Sequence, residues 1–199
     1  EFDYAVIATG ASARQIPGID FTQRVVNYQQ QILSETAPKS IVIVGAGPIG
    51  VEFGFVLSSF GTEVTIVEAQ DRVLPLEDAD TSKEIAKLLR SKNINALTAA
   101  SLVGITEDPD QVSVEVKTAN GETQTIVAEK AMIAIGFGAN VTGFGLENTG
   151  VELGANRAIL VNSTLQTNVP NIFAIGDVTG LMQLAHVAEA QGVVAAETI

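Results

Sequence analysis

The hydrophobic pattern of the 199-residue chain changes period along its length. Ile41-Val42-Ile43-Val44 is an unbroken β-branched run, which predicts a strand buried on both faces, as in a parallel sheet. A glycine turn follows, then a helix from about Pro48 to Phe60, with Pro48 at the first helical position and Gly61 as its stop. Val64-Thr65-Ile66-Val67 is a second buried strand and closes a strand-helix-strand unit. Asp80-Thr81-Ser82 opens another helix, with Thr81 and Glu84 spaced as a capping box and Ile85, Leu88 and Leu89 as its apolar face. Alternation takes over where Val112, Val114 and Val116 interleave with Ser113, Glu115 and Lys117, a half-exposed strand. Asn120-Gly121 predicts a two-residue hairpin turn into a returning strand, Thr123 to Val127. Ala131 to Ile135 restores the buried pattern, and Gln183 to Ile199 reads as an Ala-rich amphipathic helix.

This alternation of elements predicts an α/β fold: a Rossmann-like dinucleotide-binding domain with a parallel sheet and an inserted antiparallel β-meander. Three apolar strands end at a glycine: Val6 to Gly10, Ile133 to Gly136 and Phe173 to Gly176. Glycine at a strand's carboxyl end lets a ligand or another backbone approach closely, and open α/β sheets bind ligands at that end. The plain alternative is three ordinary strand-ending turns. Domain boundaries are expected near Ser34 to Lys39 and in the glycine- and asparagine-rich stretch from Ala139 to Gly154.

Composition narrows the classes. With 46% hydrophobic residues the chain can bury a core, and no run approaches the ~18 apolar residues of a membrane span. The formal charge of −12 argues against a general nucleic-acid binder. There is no cysteine, so no thiol chemistry resides in these residues. The chain starts almost within an apolar strand and stops within a helix, which reads as a piece of a longer protein.

Gly45, Gly47 and Gly50 form G-x-G-x-x-G directly between a strand and a helix. In that context Gly45 allows the tight turn, Gly47 admits a pyrophosphate to the backbone amides, and Gly50 lets the helix sit close to the sheet. The loop Gly45-Ala46-Gly47-Pro48-Ile49-Gly50 then leads into a helix N-terminus, which favours anions. Glu68 ends the next strand, 23 residues after Gly45. An acid there accepts hydrogen bonds from ribose hydroxyls and repels a 2′-phosphate, which favours NAD over NADP. Glu52 is read on the first turn of the helix, either as a helix-dipole carboxylate or as an acid near the cofactor. Asp177, after the Ile172 to Ile175 strand, either accepts hydrogen bonds from ligand hydroxyls or caps the next helix. His186 is the only histidine; with no second histidine and no cysteine, neither a zinc site nor a thiol–imidazole pair is available.

Together, Ala8-Thr9-Gly10, the Gly45–Gly50 fingerprint with Glu68, and Ile175-Gly176-Asp177 resemble the flavoprotein pyridine nucleotide–disulfide oxidoreductases in order and spacing. Leu184-Ala185-His186-Val187-Ala188-Glu189-Ala190-Gln191-Gly192 and the stretch from Glu77 into its helix are most similar to the dihydrolipoamide dehydrogenase branch, actinobacterial type. The resemblance spans essentially the whole chain. It implies that residues 36–138 form the NAD-binding domain, while 1–35 and 139–199 are segments of the FAD-binding and central part. It places Thr9, Gly10, Asp177, Gln183, Leu184, Ala185 and His186 at FAD. Ile49 falls at the nicotinamide entrance, Glu52 near the flavin–nicotinamide junction, and Leu102 and Gly136 at the border of the NAD.

The activity so implied is reoxidation of dihydrolipoamide by NAD⁺ through a disulfide and FAD, in a cytoplasmic homodimer served by a lipoyl carrier protein. No catalytic residue is assigned within these 199 residues, and the chain alone is expected to be inactive. Where many members carry an arginine and a proline after Gly136, this chain has Phe137-Gly138-Ala139-Asn140. The family's first FAD-binding glycine loop, cysteine pair and C-terminal dimerisation domain with its His–Glu pair are not among these residues. Two other readings stand beside this one: another FAD/NAD(P) oxidoreductase, such as a disulfide reductase or an NADH-oxidising flavoprotein, and a non-catalytic NAD-sensing module.

Overall fold

The computed structural model describes residues 2–199. The chain opens with two short strands, β1 (Ala5–Ile7) and β2 (Ala11–Ala13), then β3 (Val25–Val26) and the short helix α1 (Tyr28–Ile32). The strand-helix-strand unit follows as β4 (Ser40–Val44), α2 (Pro48–Ser59) and β5 (Glu63–Val67), and α3 (Ala79–Ser91) leads to β6 (Asn95–Leu97). A meander of β7 (Ser101–Glu107), β8 (Val112–Lys117) and β9 (Thr123–Ala128) precedes β10 (Lys130–Ile133) and β11 (Phe137–Ala139). β12 (Ile172–Ala174) and α4 (Ala185–Thr198) close the chain, with 3-10 turns at Leu146–Asn148 and Gly176–Thr179.

The chain divides into two compact units, Ala13–Gly136 and a second one made of the segment up to Ser12 with Phe137–Ile199. In the first, five parallel strands run in the order β3-β10-β4-β5-β6. The sheet separates two cores. Ile41, Ile43, Val64 and Ile66 pack with Leu57 of α2 and Leu89 of α3, while Val42, Val44 and Val67 pack with Val112, Val114 and Val116 of β8. Helices cover one face and the meander the other, so β4 must be apolar on both faces from Ile41 to Val44, as the unbroken run implies.

The compact unit also takes in residues ahead of 36, since Val25 and Val26 pair with Ala131 and Met132 and so join the central sheet. Several local expectations are corrected. α3 starts one turn earlier than its expected capping box: Asp78 is the N-cap, and its side chain makes no cap bond. Leu89 is fully buried, whereas Leu88 is 49% exposed, so only part of the expected face meets the core. The β8–β9 turn has three residues: Thr118 N–H donates to Glu122 O and Gly121 N–H to Thr118 O, with Gly121 at φ +85°. That is a turn closed by a left-handed glycine, which the Asn-Gly pair serves as well as a two-residue loop. α4 starts at Ala185, and Ala195 is its one buried residue among those described, so it has no sharp apolar face.

In the second unit, β1 pairs in parallel with β12. A separate two-stranded sheet joins β2 to β11. Ile159, Ala174 and Val178 centre one cluster, while Phe173, Leu165 and Ala195 form another. β12 is not an edge: Ala174 N–H donates to Leu165 O, and Thr167 N–H to Ile172 O, on the side away from β1. The expected burial of the first strand holds only in part, since Val6 is 44% exposed.

Candidate functional site

The turn after β4 is built by close contacts that only glycine tolerates. Gly45 sits at φ +108°, and a Cβ there would lie 2.4 Å from the Ala134 carbonyl oxygen. A Cβ on Gly50 would lie 2.0 Å from the Gly45 carbonyl oxygen. Gly47 differs: its φ of −70° is ordinary, and a Cβ would meet nothing within 4 Å. Two of the three fingerprint glycines are therefore required by packing, and the third faces open space. Gly47 is also the N-cap of α2 and offers no side chain, with Pro48 next. The first intrahelical bond is Val51 N–H to Gly47 O at 3.0 Å, so the Ile49 and Gly50 N–H groups lie ahead of it and suit an anion.

Glu68 is only 8% exposed at the end of β5. Its Oε2 accepts the Ala46 N–H at 2.8 Å and its Oε1 the Gln70 N–H at 2.9 Å. The carboxylate thus ties the glycine turn to the turn after β5, and each oxygen retains a lone pair for a further donor. The Glu68 carbonyl accepts Ala100 N–H at 2.9 Å, which sets Leu102 two residues further along at the start of the meander. Ala134 N–H donates to Val44 O at 2.7 Å, which brings Gly136 to the same end of the sheet. Gly136 is at φ +93° with open space where a Cβ would be. Gly45–Gly50, Glu68, Leu102 and Gly136 therefore converge on the carboxyl end of the parallel strands. Glu52 is the fifth residue of α2, beyond the first turn where it was expected, and is solvent-exposed. Arg72, near Glu68 in sequence, donates to the Pro75 carbonyl at 3.0 Å.

A separate group lies in the second unit. Thr9 Oγ1 donates to Asn140 O at 2.7 Å, and Asn140 Nδ2 donates to Thr9 O at 2.9 Å. Asn140 N–H also reaches Gly10 O at 2.9 Å, and Ser12 Oγ donates to Asn140 Oδ1 at 2.8 Å. Asn140 thus clamps the turn that carries Thr9 and Gly10, a role the sequence reading missed. Gly176 N–H donates to Gln191 Oε1 of α4 at 2.6 Å, and a Cβ on Gly176 would lie 3.3 Å from Ala188 Cβ. Gln191 was likewise unassigned. The half-buried Asp177 carboxylate has no partner among the described residues and caps no helix, since the N-cap of its 3-10 turn is Ile175. Gln183, Leu184, Ala185 and His186 are exposed at the start of α4, whose N-cap Leu184 makes no side-chain bond. Among the described residues no cluster of His, Asp or Glu could hold a metal ion.

Residues 1–192 match the family model for pyridine nucleotide-disulphide oxidoreductases. The chain belongs to that family. Among curated members, it is 54% identical over 198 residues to the dihydrolipoyl dehydrogenase of Mycobacterium tuberculosis, covering 100% of this chain and 42% of the relative. The Corynebacterium glutamicum dihydrolipoyl dehydrogenase is 48% identical over 199 residues, with the same coverage of both chains. Of solved structures in the family, LpdA from M. tuberculosis superposes with a TM-score of 0.87 at 32% identity, over 97% of this chain and 41% of that one. The flavoprotein disulfide reductase RclA of Escherichia coli, in its Cu(II) complex, gives a TM-score of 0.90 at 30% identity, over 99% and 45%. The chain spans less than half the length of each of these relatives.

Proposed function

We propose that this chain is the NAD-binding unit and part of the FAD-binding portion of a dihydrolipoyl dehydrogenase, which reoxidises dihydrolipoamide with NAD⁺. The observation that carries the reading is the buried Glu68 carboxylate, hydrogen-bonded to the glycine turn at the carboxyl end of the sheet. The likeness to actinobacterial dihydrolipoyl dehydrogenases supports the choice of branch.

The residues present fit an anionic dinucleotide. Gly47 leaves an open cradle, the α2 N-terminus has no side-chain cap, and Glu68 supplies acceptor lone pairs. Gly45, Ala46, Gly47, Pro48, Ile49 and Gly50 hold the pyrophosphate, with the first-turn N–H groups donating to it. Glu68 holds the adenosine ribose and repels a 2′-phosphate. Leu102 and Gly136 border the nucleotide, and Ile49 with Glu52 stands on the nicotinamide side. Thr9, Gly10, Asp177 and the Gln183–His186 segment hold FAD; the unpartnered Asp177 carboxylate suits ribityl hydroxyls. When bound, the two groups supply a hydride acceptor and a two-electron carrier. Everything this chain contributes is binding, orientation and electrostatics. The dithiol step needs a cysteine pair, which these 199 residues do not contain. In the whole protein we assign residues 36–138 to NAD and the flanks to FAD, with a homodimer partner, a lipoyl carrier and a cytoplasmic location.

Calorimetric titration with NADH and NADPH tests the nucleotide assignment. NADH should bind more tightly; equal affinity or a preference for NADPH would refute it.

A further inference from the structure

We propose that the groove between α3 and β6 is a second anion site, built for a small polyphosphate-type ligand without a nucleobase. The groove encloses about 450 Å³, the size of a small-molecule site. Three cations line it: Arg72 from the loop after β5, and Lys83 and Arg90 from α3. That is three of the chain's eleven Lys and Arg residues in one groove of a protein with net charge −12, with Asp71 the one acid among the lining residues.

The cations are not consumed by the protein. On α3, Lys87 pairs with Glu84 at 2.5 Å, whereas Lys83 and Arg90 have no ion-pair partner among the described residues. Arg72 spends one donor on the Pro75 carbonyl. Helix electrostatics account for Arg90, in the last turn of α3. They do not account for Lys83, the fifth residue of α3, which lies exposed beyond the first turn, where the helix end has little influence. Small side chains, Ala79, Ser82 and Ala86, leave the helix side of the groove open between the cations.

The spacing defines the ligand. Lys83 and Arg90 are two turns apart on one helix face, about 10 Å along the axis, so a single phosphate cannot neutralise both. A linear anion with several charges can. No lining residue is aromatic, so a base finds no stacking platform. The groove adjoins the carboxyl end of β5, since Leu74, next to the lining Val73, donates its N–H to the Ala46 carbonyl at 2.8 Å, so the test is run with the dinucleotide present to tell the two sites apart.

The probe is inorganic tripolyphosphate, titrated calorimetrically into the 199-residue chain at low salt, with saturating NADH present. One equivalent should bind, at least tenfold more tightly than orthophosphate, and ATP should bind no more tightly than tripolyphosphate. The double variant Lys83→Gln with Arg90→Gln should weaken binding at least tenfold and leave NADH affinity within twofold. In the unaltered chain, tripolyphosphate should move backbone amide resonances of residues 72–98 and not those of 45–50, a readout that needs no variant. Absence of binding, unchanged affinity in the double variant, displacement by NADH, resonance shifts at 45–50, or tenfold tighter ATP binding would each overturn the proposal.

Discussion

The Glu68 carboxylate and the Ala46 amide are joined at 2.8 Å, so the acid that ends β5 also holds the glycine turn after β4. Ala46 is fully buried, and no water can replace that acceptor without opening the turn. Glu68→Ala should therefore do two things. It should lower stability by about 1–3 kcal/mol, the cost of leaving a buried donor unpaired. It should also narrow the preference for NADH over NADPH. Glu68→Gln keeps one carbonyl acceptor and should lose less. Urea denaturation and calorimetry read the two effects separately.

Gly47 and Gly50 should respond oppositely to alanine. A Cβ at position 50 overlaps the Gly45 carbonyl oxygen, so Gly50→Ala must displace the turn or the helix and should destabilise by at least about 2 kcal/mol. Gly47→Ala has free space and an ordinary φ, so stability should stay within about 0.5 kcal/mol. Its methyl projects into the open cradle, so NADH affinity should fall at least tenfold. Melting curves with NADH titrations separate the two outcomes.

Asn140 should be the more sensitive member of its clamp. Asn140→Ala removes the bonds to Thr9 O and from Ser12 Oγ, while the backbone bond to Gly10 O survives. A loss of about 0.5–1.5 kcal/mol is expected for these hydrogen bonds. Hydrogen exchange should accelerate at residues 9–13 and stay unchanged in β4 and β5.

The outer edge of β1 should drive self-association. Among the described residues its one paired strand is β12, and Phe2, Tyr4 and Val6 present exposed apolar surface there. An unpaired apolar edge is a template for another strand. Light scattering of the 199-residue chain should show concentration-dependent oligomers, and Val6→Lys should restore a monomer. Hydrogen exchange should protect β4, β5 and β10 more strongly than β1.

The order of elements was legible from residue types alone. The β-branched run Ile41–Val44 in β4, the glycine fingerprint, Pro48 at the start of α2 and the alternation of β8 are local signals, because each follows from φ/ψ preference or from which faces a strand buries. Glu68 could likewise be assigned from its place at the end of β5. Its bond to Ala46 could not, because hydrogen bonding across 22 residues depends on how two adjacent parallel strands are registered. The same holds for Val25–Val26, a strand too short to show a period, which joins the central sheet only through β10. Asn140 and Gln191 were invisible for a related reason: an amide side chain carries no periodic signal, and its partners lie 131 and 15 residues away. Glu52 and the α3 cap were misplaced by one turn, since nothing local distinguishes Asp78 from Thr81 as the first cap until the loop before them is packed. Local stereochemistry wrote the elements and the glycine turn; long-range strand register and side-chain hydrogen bonds selected which groups meet around them.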